Sequence, residues 1–374
     1  MSRDEALSPA VSLYLDLVRF AAAAAVFLDH LTSYPFSTNR DAHRHGLALI
    51  GSYGGSAVVV FFVLSGFVIA YVTDTREQTA RAYAVSRVSR LYSVIIPALL
   101  LTFAFDSAGQ WLRPEFYEIQ KVLWRPPSVT SYAASLALVS EYQVFHFGGI
   151  VPGSNSPYWS LSFEATYYLL AGLLLFAPRR VSIPLALIVL ALAGRTITAM
   201  APIWALGFWL YRARGMLVPR MPVAAIAWGA SIVVILALPF LAERLHLNNF
   251  GVVFPWGRGP FNRDLLLDYA TAAAFAVNLV AAQRMLAGGW PILERFAGPV
   301  RWLGGLTFPL YAIHYPLICF FAAISPWNRA SPLSVAFIAV IVLAIVILAT
   351  PVCDRLKLAL RNRLLGPARV RAAG

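Results

Sequence analysis

Residues 13–31 read LYLDLVRFAAAAAVFLDHL. About 20 apolar residues cross the hydrocarbon of a bilayer as an α-helix, so this stretch has the length of a membrane span. It nonetheless carries Asp16, Arg19, Asp29 and His30. A charge at the bilayer centre costs roughly 3 kcal/mol on insertion scales, so such side chains face a bundle interior and have a function by default. At about 100° per residue, Arg19 and His30 fall within about 20° of each other on the helix. They are roughly 16 Å apart along its axis. Asp16 lies on the same side, three positions before Arg19, where an ion pair forms. Asp29 is about 100° away. The alanines at 21–25 are small enough for another helix or a thin ligand to come close.

The rest of the chain agrees with a membrane setting. Of 374 residues, 59% are hydrophobic and only 13% are charged, against about 25% in soluble domains. An all-α polytopic membrane protein is expected, a bundle of about 10 transmembrane helices. The net charge of +13 does not imply nucleic acid, because Lys and Arg collect on the cytoplasmic side of membrane proteins. Cys319 and Cys353 lie in apolar runs, which argues against a disulfide or a thiolate metal site. The N-terminal apolar region is interrupted by charge and merges into a full span, unlike a cleaved signal peptide.

Ten spans are expected, at 11–32, 53–73, 89–106, 158–178, 181–197, 199–212, 222–241, 264–287, 302–324 and 332–353. The stretch 129–147 contains Glu141 and many serines and reads as re-entrant or interfacial. With ten spans, one orientation puts Arg76, Arg81, Arg87, Arg90, Arg179, Arg180, Arg212, Arg214, Arg220, Arg284, Arg295 and Arg301 inside, and fewer cations outside. Both termini are then cytoplasmic. Residues 1–354 form the membrane domain and 355–374 a basic cytoplasmic tail.

Several positions carry chemistry. Arg87 and Arg90 share a helix face at the inner surface. Two guanidiniums suit phosphate, although juxtamembrane arginines also serve as topology signals or lipid contacts. Ser65 and Gly66 permit close backbone approach. Pro157 suits a helix start. Glu164, about one and a half turns further on in the outer part of the membrane, reads equally as a buried carboxylate satisfied by a neighbouring arginine or hydroxyl, or as an acid, a base or an acceptor of hydrogen bonds from sugar hydroxyls. Arg195 reads as a salt-bridge partner. His43 and His45 lack a third ligand, so no metal is expected. The aromatics of 242–263 fit sugar stacking or an interfacial belt equally. His314 lies near mid-span between Pro309 and Pro316, which loosen its helix; a lone histidine there is more often a bundle hydrogen-bonder.

Five motifs in order resemble the acyltransferase family 3 integral membrane proteins, which O-acylate sugars and exported glycans. They are Asp16 and Arg19 with His30; FFVLSGF at 61–67; Arg87 and Arg90 followed by Leu91 and Tyr92; YWSLSFEATYY at 158–168; and FPLYAIHYPL at 308–317. Ser93, and Thr307 with Phe308, depart from the usual pattern. The resemblance implies catalysis by Arg19 and His30 and donor handling by Arg87 and Arg90. It also carries the Trp-Ser-Leu-x-x-Glu motif onto Trp159, Ser160 and Glu164. Tyr158, Trp159, Ser160 and His314 are then acceptor-side candidates. Unlike some members, no hydrolase-like domain is appended, so the membrane domain or a separate partner completes the transfer.

Acyl transfer from a thioester to a hydroxyl needs a base, a stabilised oxyanion and alignment. Neutral imidazole suits the first at physiological pH, which nominates His30. Asp16 would orient Arg19. Arg19, or backbone amides near Ser65 and Gly66, would steady the developing charge. The donor expected is cytoplasmic acyl-CoA, most simply acetyl-CoA, with its pantetheine arm between small-residue helices. The acceptor expected is a sugar or glycan hydroxyl, and the location a plasma (inner) membrane. A transporter or flippase for a glycolipid or acylated small molecule would also use buried ionisable groups. A sensor or scaffold would not need Arg19 and His30 aligned.

Overall fold

The structure is a computed structural model that describes residues 7–33, 53–119, 127–145, 150–244, 265–328 and 331–366. The expectations for His43, His45 and most of 242–263 lie outside the described residues. Thirteen α-helices and no strand occur among the described residues. They are α1 Pro9–Ser33, α2 Gly54–Thr75, α3 Ala80–Leu112, α4 Pro114–Ile119, α5 Val129–Leu136, α6 Trp159–Phe176 and α7 Arg179–Ala193. There follow α8 Arg195–Arg212, α9 Met221–Arg244, α10 Leu265–Met285, α11 Pro291–Arg295, α12 Ala297–Ile324 and α13 Pro332–Leu365. An all-helical polytopic fold follows from the medium, since helices satisfy their own backbone groups in lipid.

All ten expected spans are helices, but eight are long and apolar enough to cross a bilayer. The two that fall short are α7 and α8. The 15 residues of α7 rise only about 22 Å, against about 30 Å of hydrocarbon. Gly194, at φ +91°, ends α7 immediately before α8 begins. The stretch 129–147 does not form a span. Ser128 caps the eight-residue α5 through a capping box, and Leu138, at φ +60°, follows its end. The last span continues as helix beyond 353, to Leu365.

The chain packs as two compact units. The first comprises residues 1–26, 52–76 and 198–305; the second comprises 27–51, 77–197 and 306–374. In the first unit the Tyr14 hydroxyl donates to Asn278 Oδ1 (2.6 Å), Trp228 Nε1 donates to the Tyr14 oxygen (3.2 Å), and Asn278 Nδ2 donates to Ser231 (3.2 Å). Polar side chains thus join α1, α9 and α10, as expected where lipid supplies no hydrophobic drive between helices. In the second unit α13 packs along α3, and α6 packs against α7. Thr79 caps α3 by accepting from the Ala82 N–H (3.2 Å).

Candidate active site

His30 and His314 meet within the second unit. His30 Nδ1 is 2.9 Å from His314 Nε2, and the rings stack with centroids 5.1 Å apart. His314 is fully buried, whereas His30 is half-buried. The contacts fix the tautomers. His314 Nδ1 lies 2.8 Å from the Leu310 carbonyl oxygen and 3.0 Å from that of Tyr311. Carbonyls only accept, so this nitrogen carries the proton. In the neutral ring Nε2 then accepts, and His30 donates to it from Nδ1. The lone pair of His30 is therefore on Nε2. Edge contacts from Tyr315 onto His30 and from Phe27 onto His314 hold the rings in place.

Proline sets up the surroundings. Pro316 has no N–H for the Ala312 carbonyl, one turn earlier in α12. Asn155 Nδ2 supplies the missing donor at 2.9 Å, and also donates to Thr102 (3.2 Å). So α12 continues through Pro316, and the lost bond is replaced rather than left open. Asn155 is itself anchored by its neighbour. The Ser154 N–H and hydroxyl both donate to buried Asp106 at 2.7 Å. Gly153 makes room: a Cβ there would lie 2.1 Å from an Asp106 oxygen, and its φ of +55° suits glycine.

The neighbouring motif residues are mostly engaged. The Tyr158 hydroxyl donates to the Ser135 carbonyl (2.8 Å) and the side chain is buried. The Ser160 and Tyr311 hydroxyls are 2.6 Å apart, and both reach the Pro157 carbonyl. Their hydroxyls hold α5, α6 and α12 together. Trp159 is half-buried with its ring edge-on to Phe163.

A second cluster lies in the same unit. Arg87 donates to Glu77 at 2.6 Å, with its guanidinium carbon 5.7 Å from the Tyr83 ring centre and 5.4 Å from that of Tyr168. Arg90 lies over Phe308 at 5.7 Å. The Nε groups of both arginines are buried and have no hydrogen-bond acceptor among the described residues. The Tyr83 hydroxyl donates to the Tyr168 carbonyl (2.8 Å), and the Tyr168 hydroxyl donates to Glu164. Glu164 is within electrostatic range of Arg90. Glu164 thus sits beside a hydroxyl and an arginine, the setting of its structural reading. The reason is the antiparallel run of α6 along α3, which the Tyr83–Tyr168 bond pins.

In the first unit Asp16 is 3.4 Å from Arg19, as the three-residue spacing requires, and also 3.4 Å from Arg301. Ser65 and Gly66 need a second correction. A Cβ at Gly66 would lie 2.0 Å from the Trp204 carbonyl oxygen, and one at Gly207 would lie 1.9 Å from that of Val63. Trp204 Nε1 donates to the Ser65 hydroxyl (3.1 Å). These small residues serve a backbone-to-backbone crossing of α2 and α8, so that face is filled by protein rather than by a pantetheine arm. Residues 65 and 66 are also mid-helix in α2, where backbone N–H groups already bond within the helix, so they offer no oxyanion donors.

Arg195 opens α8, and its backbone N–H donates to Gln143 (3.1 Å). The two thiols are buried and free. Among the described residues no three His, Cys, Asp or Glu side chains cluster as metal ligands.

A helical multi-pass membrane protein, with an imidazole pair and an arginine–glutamate cluster buried in one unit, is the class these features define. The chain belongs to the acyltransferase domain family, whose pattern it matches over residues 12–350. It is 30% identical over 164 residues to Acyltransferase MdmB of Streptomyces mycarofaciens, covering 41% of this chain and 36% of that protein. It is 24% identical over 206 residues to an O-acetyl transferase of Shigella phage Sf6, covering 54% of this chain and 58% of that protein. The chain thus spans about a third and somewhat over half of these curated relatives. No solved structure matches it.

Proposed function

We propose that the protein is a membrane O-acyltransferase that moves an acyl group, acetyl in the simplest case, from cytoplasmic acyl-CoA to a sugar or glycan hydroxyl. The observation that carries this reading is the His30–His314 contact, because it leaves an unprotonated nitrogen on the more accessible ring. His30 Nε2 removes the acceptor's hydroxyl proton as the oxygen attacks the thioester carbonyl. The carbon–sulfur bond breaks as the new ester forms, and the imidazolium returns its proton to the CoA thiolate. His314 is a positioning residue that holds His30 in the reactive tautomer. The family and the phage relative's name support the acyl-transfer class.

Arg19 has a different task from His30 in this reading. Eleven residues of helix separate them by about 16 Å, and helical side chains lean toward the N-terminus, so Arg19 points away from His30 along the axis. Within its own unit Arg19 is steadied by Asp16. Arg90 grips the donor's phosphates, and Arg87, held by Glu77, keeps that cationic cluster in place. Both termini and the arginine cluster are cytoplasmic, the membrane is the plasma (inner) membrane, and the acceptor is an envelope polysaccharide or glycolipid.

The test is purified protein in detergent or vesicles with acetyl-CoA labelled in the acetyl group and a bacterial surface glycan. Label on the glycan with matching CoA release is expected. Accumulation of unmodified glycan inside vesicles, with the label left on CoA, would overturn the enzyme in favour of a transporter.

A further inference from the structure

We propose that Lys357, on the cytoplasmic extension of α13, is part of the donor's phosphate site together with Arg90. The inference rests on the donor reading above.

Three observations place Lys357 there. First, the buried residues of α13 are Ser334, Ile338, Val342, Val346, Thr350 and Cys353. They recur every three or four positions, the stripe that a helix turns toward its neighbours. Beyond Cys353 the half-buried positions are Leu356 and Leu360, and Lys357 beside them is exposed. Lys357 thus lies at the rim of the packed face, where the helix has risen past the hydrocarbon. The 34 residues of α13 span about 51 Å, roughly 20 Å more than the hydrocarbon needs.

Second, α13 runs antiparallel to α3, and one contact sets their register. Arg81 donates to the carbonyls of Leu364 (3.1 Å) and Leu365 (3.2 Å), at the last turn of α13. Counting up α3 and down α13 at equal rise brings position 357 level with positions 88–89, between Arg87 and Arg90. Third, Lys357 is within electrostatic range of Arg90, Arg87 and Arg361, and of Asp354 on its own helix.

The two arginines differ in what they have left to give. Arg87 is held by Glu77 and enclosed by two tyrosine rings, whereas Arg90 has no salt bridge among the described residues and carries a buried Nε–H without an acceptor. Two cations from different helices, one on a flexible stem at the rim, come close, with Asp354 near Lys357 and with Glu164 and Glu77 near Arg90. A phosphate between them would bridge both cations and supply the acceptor that the Arg90 Nε–H lacks. The chemistry recognised is a phosphate or pyrophosphate ester, and the source proposed is the nucleotide end of acyl-CoA.

The experiment measures CoA binding by calorimetry and acetyl-transfer kinetics on the full-length protein, comparing wild type with Lys357→Met and Lys357→Arg. The Met variant keeps the stem and removes only the charge. It should weaken CoA binding and raise KM for acetyl-CoA about tenfold, with kcat within about twofold, and Arg should restore both. Repeating the series with donor lacking the 3′-phosphate tells which phosphate is met; a persistent loss and an abolished loss both support the site. Normal CoA affinity and KM in a folded Lys357→Met protein would overturn it. Wild type that binds CoA tightly but transfers nothing would defeat the enzymatic reading while leaving this site testable by binding. Wild type that transfers normally alongside an unaffected Met variant would defeat only this site.

Discussion

The histidine pair and the arginine cluster belong to the same unit and meet the same difficulty, polar groups inside an apolar bundle. The histidines meet it without charge. Each N–H along the line from the Leu310 and Tyr311 carbonyls through His314 to His30 Nδ1 has an acceptor, and the chain ends on one lone pair. The arginines meet it with charge. Glu77, Glu164 and three aromatic rings surround them, yet two guanidinium N–H groups remain without acceptors among the described residues. The first arrangement presents a base and the second presents unmet donors. Proton transfer suits one and anion binding suits the other, which is why the two clusters receive different roles.

The sharpest break in this comparison is His30→Ala. Removing a general base costs about 10²- to 10⁴-fold in rate. Acetyl transfer should fall by that factor while the protein still inserts and elutes as a single folded species. A variant with wild-type turnover would take the base away from His30.

Next in size is Arg87→Met, expected to act on folding rather than on chemistry. Breaking a buried ion pair by removing one partner costs about 3–5 kcal/mol, because the other charge is left buried. Glu77 would be that residue. Thermal unfolding should shift down markedly, and Glu77→Gln in the same chain should recover part of the loss. Arg90→Met should do the reverse, sparing stability and weakening donor binding. If Arg87→Met is stable but fails to saturate with donor, the two arginines act alike and the distinction between them is wrong.

His314→Phe should cost about ten- to a hundredfold in kcat with KM nearly unchanged, since only the orientation of His30 is lost. Gln at 314 offers an acceptor oxygen and should recover part of the rate, a rescue that a merely space-filling role would not produce.

The sequence exposes what is local and hides what is distant. Asp16 and Arg19 are paired by a three-residue spacing on one helix, and the structure has that pair. The long apolar runs became helices at the expected places. His30 and His314 are 284 positions apart, and no periodicity links them, so His314 reads alone as a lone mid-span histidine. The Glu77–Arg87 pair straddles a helix cap, where neither the i,i+4 rule nor a loop signal applies. Ser65 and Gly66 show a different failure. Small residues announce a close approach, and the sequence does not say whether a ligand or a backbone comes close; here it is the Trp204 carbonyl. Pro316 was readable as a weakness in α12, but its remedy, Asn155, lies on a segment 157 positions away from the carbonyl it serves.

The smallest effect expected is that of Tyr168→Phe, and it bears on whether Glu164 is structural. The ring would stay and continue to cover Arg87, while the hydroxyl that donates to Glu164 would go. A hydrogen bond to a charged acceptor is worth about 1.5–3 kcal/mol, and Arg90 nearby offsets part of its loss. A net destabilisation of roughly 1 kcal/mol is expected, with KM and kcat for acetyl-CoA within about twofold of wild type. Glu164→Gln tests the same point from the other side, since the amide oxygen can still accept from Tyr168. If both variants unfold slightly earlier but turn over normally, Glu164 neutralises the arginines and takes no part in the reaction. If Glu164→Gln loses turnover while Tyr168→Phe does not, the carboxylate charge itself acts on substrate, and the arginine cluster joins the histidine pair as chemistry rather than binding.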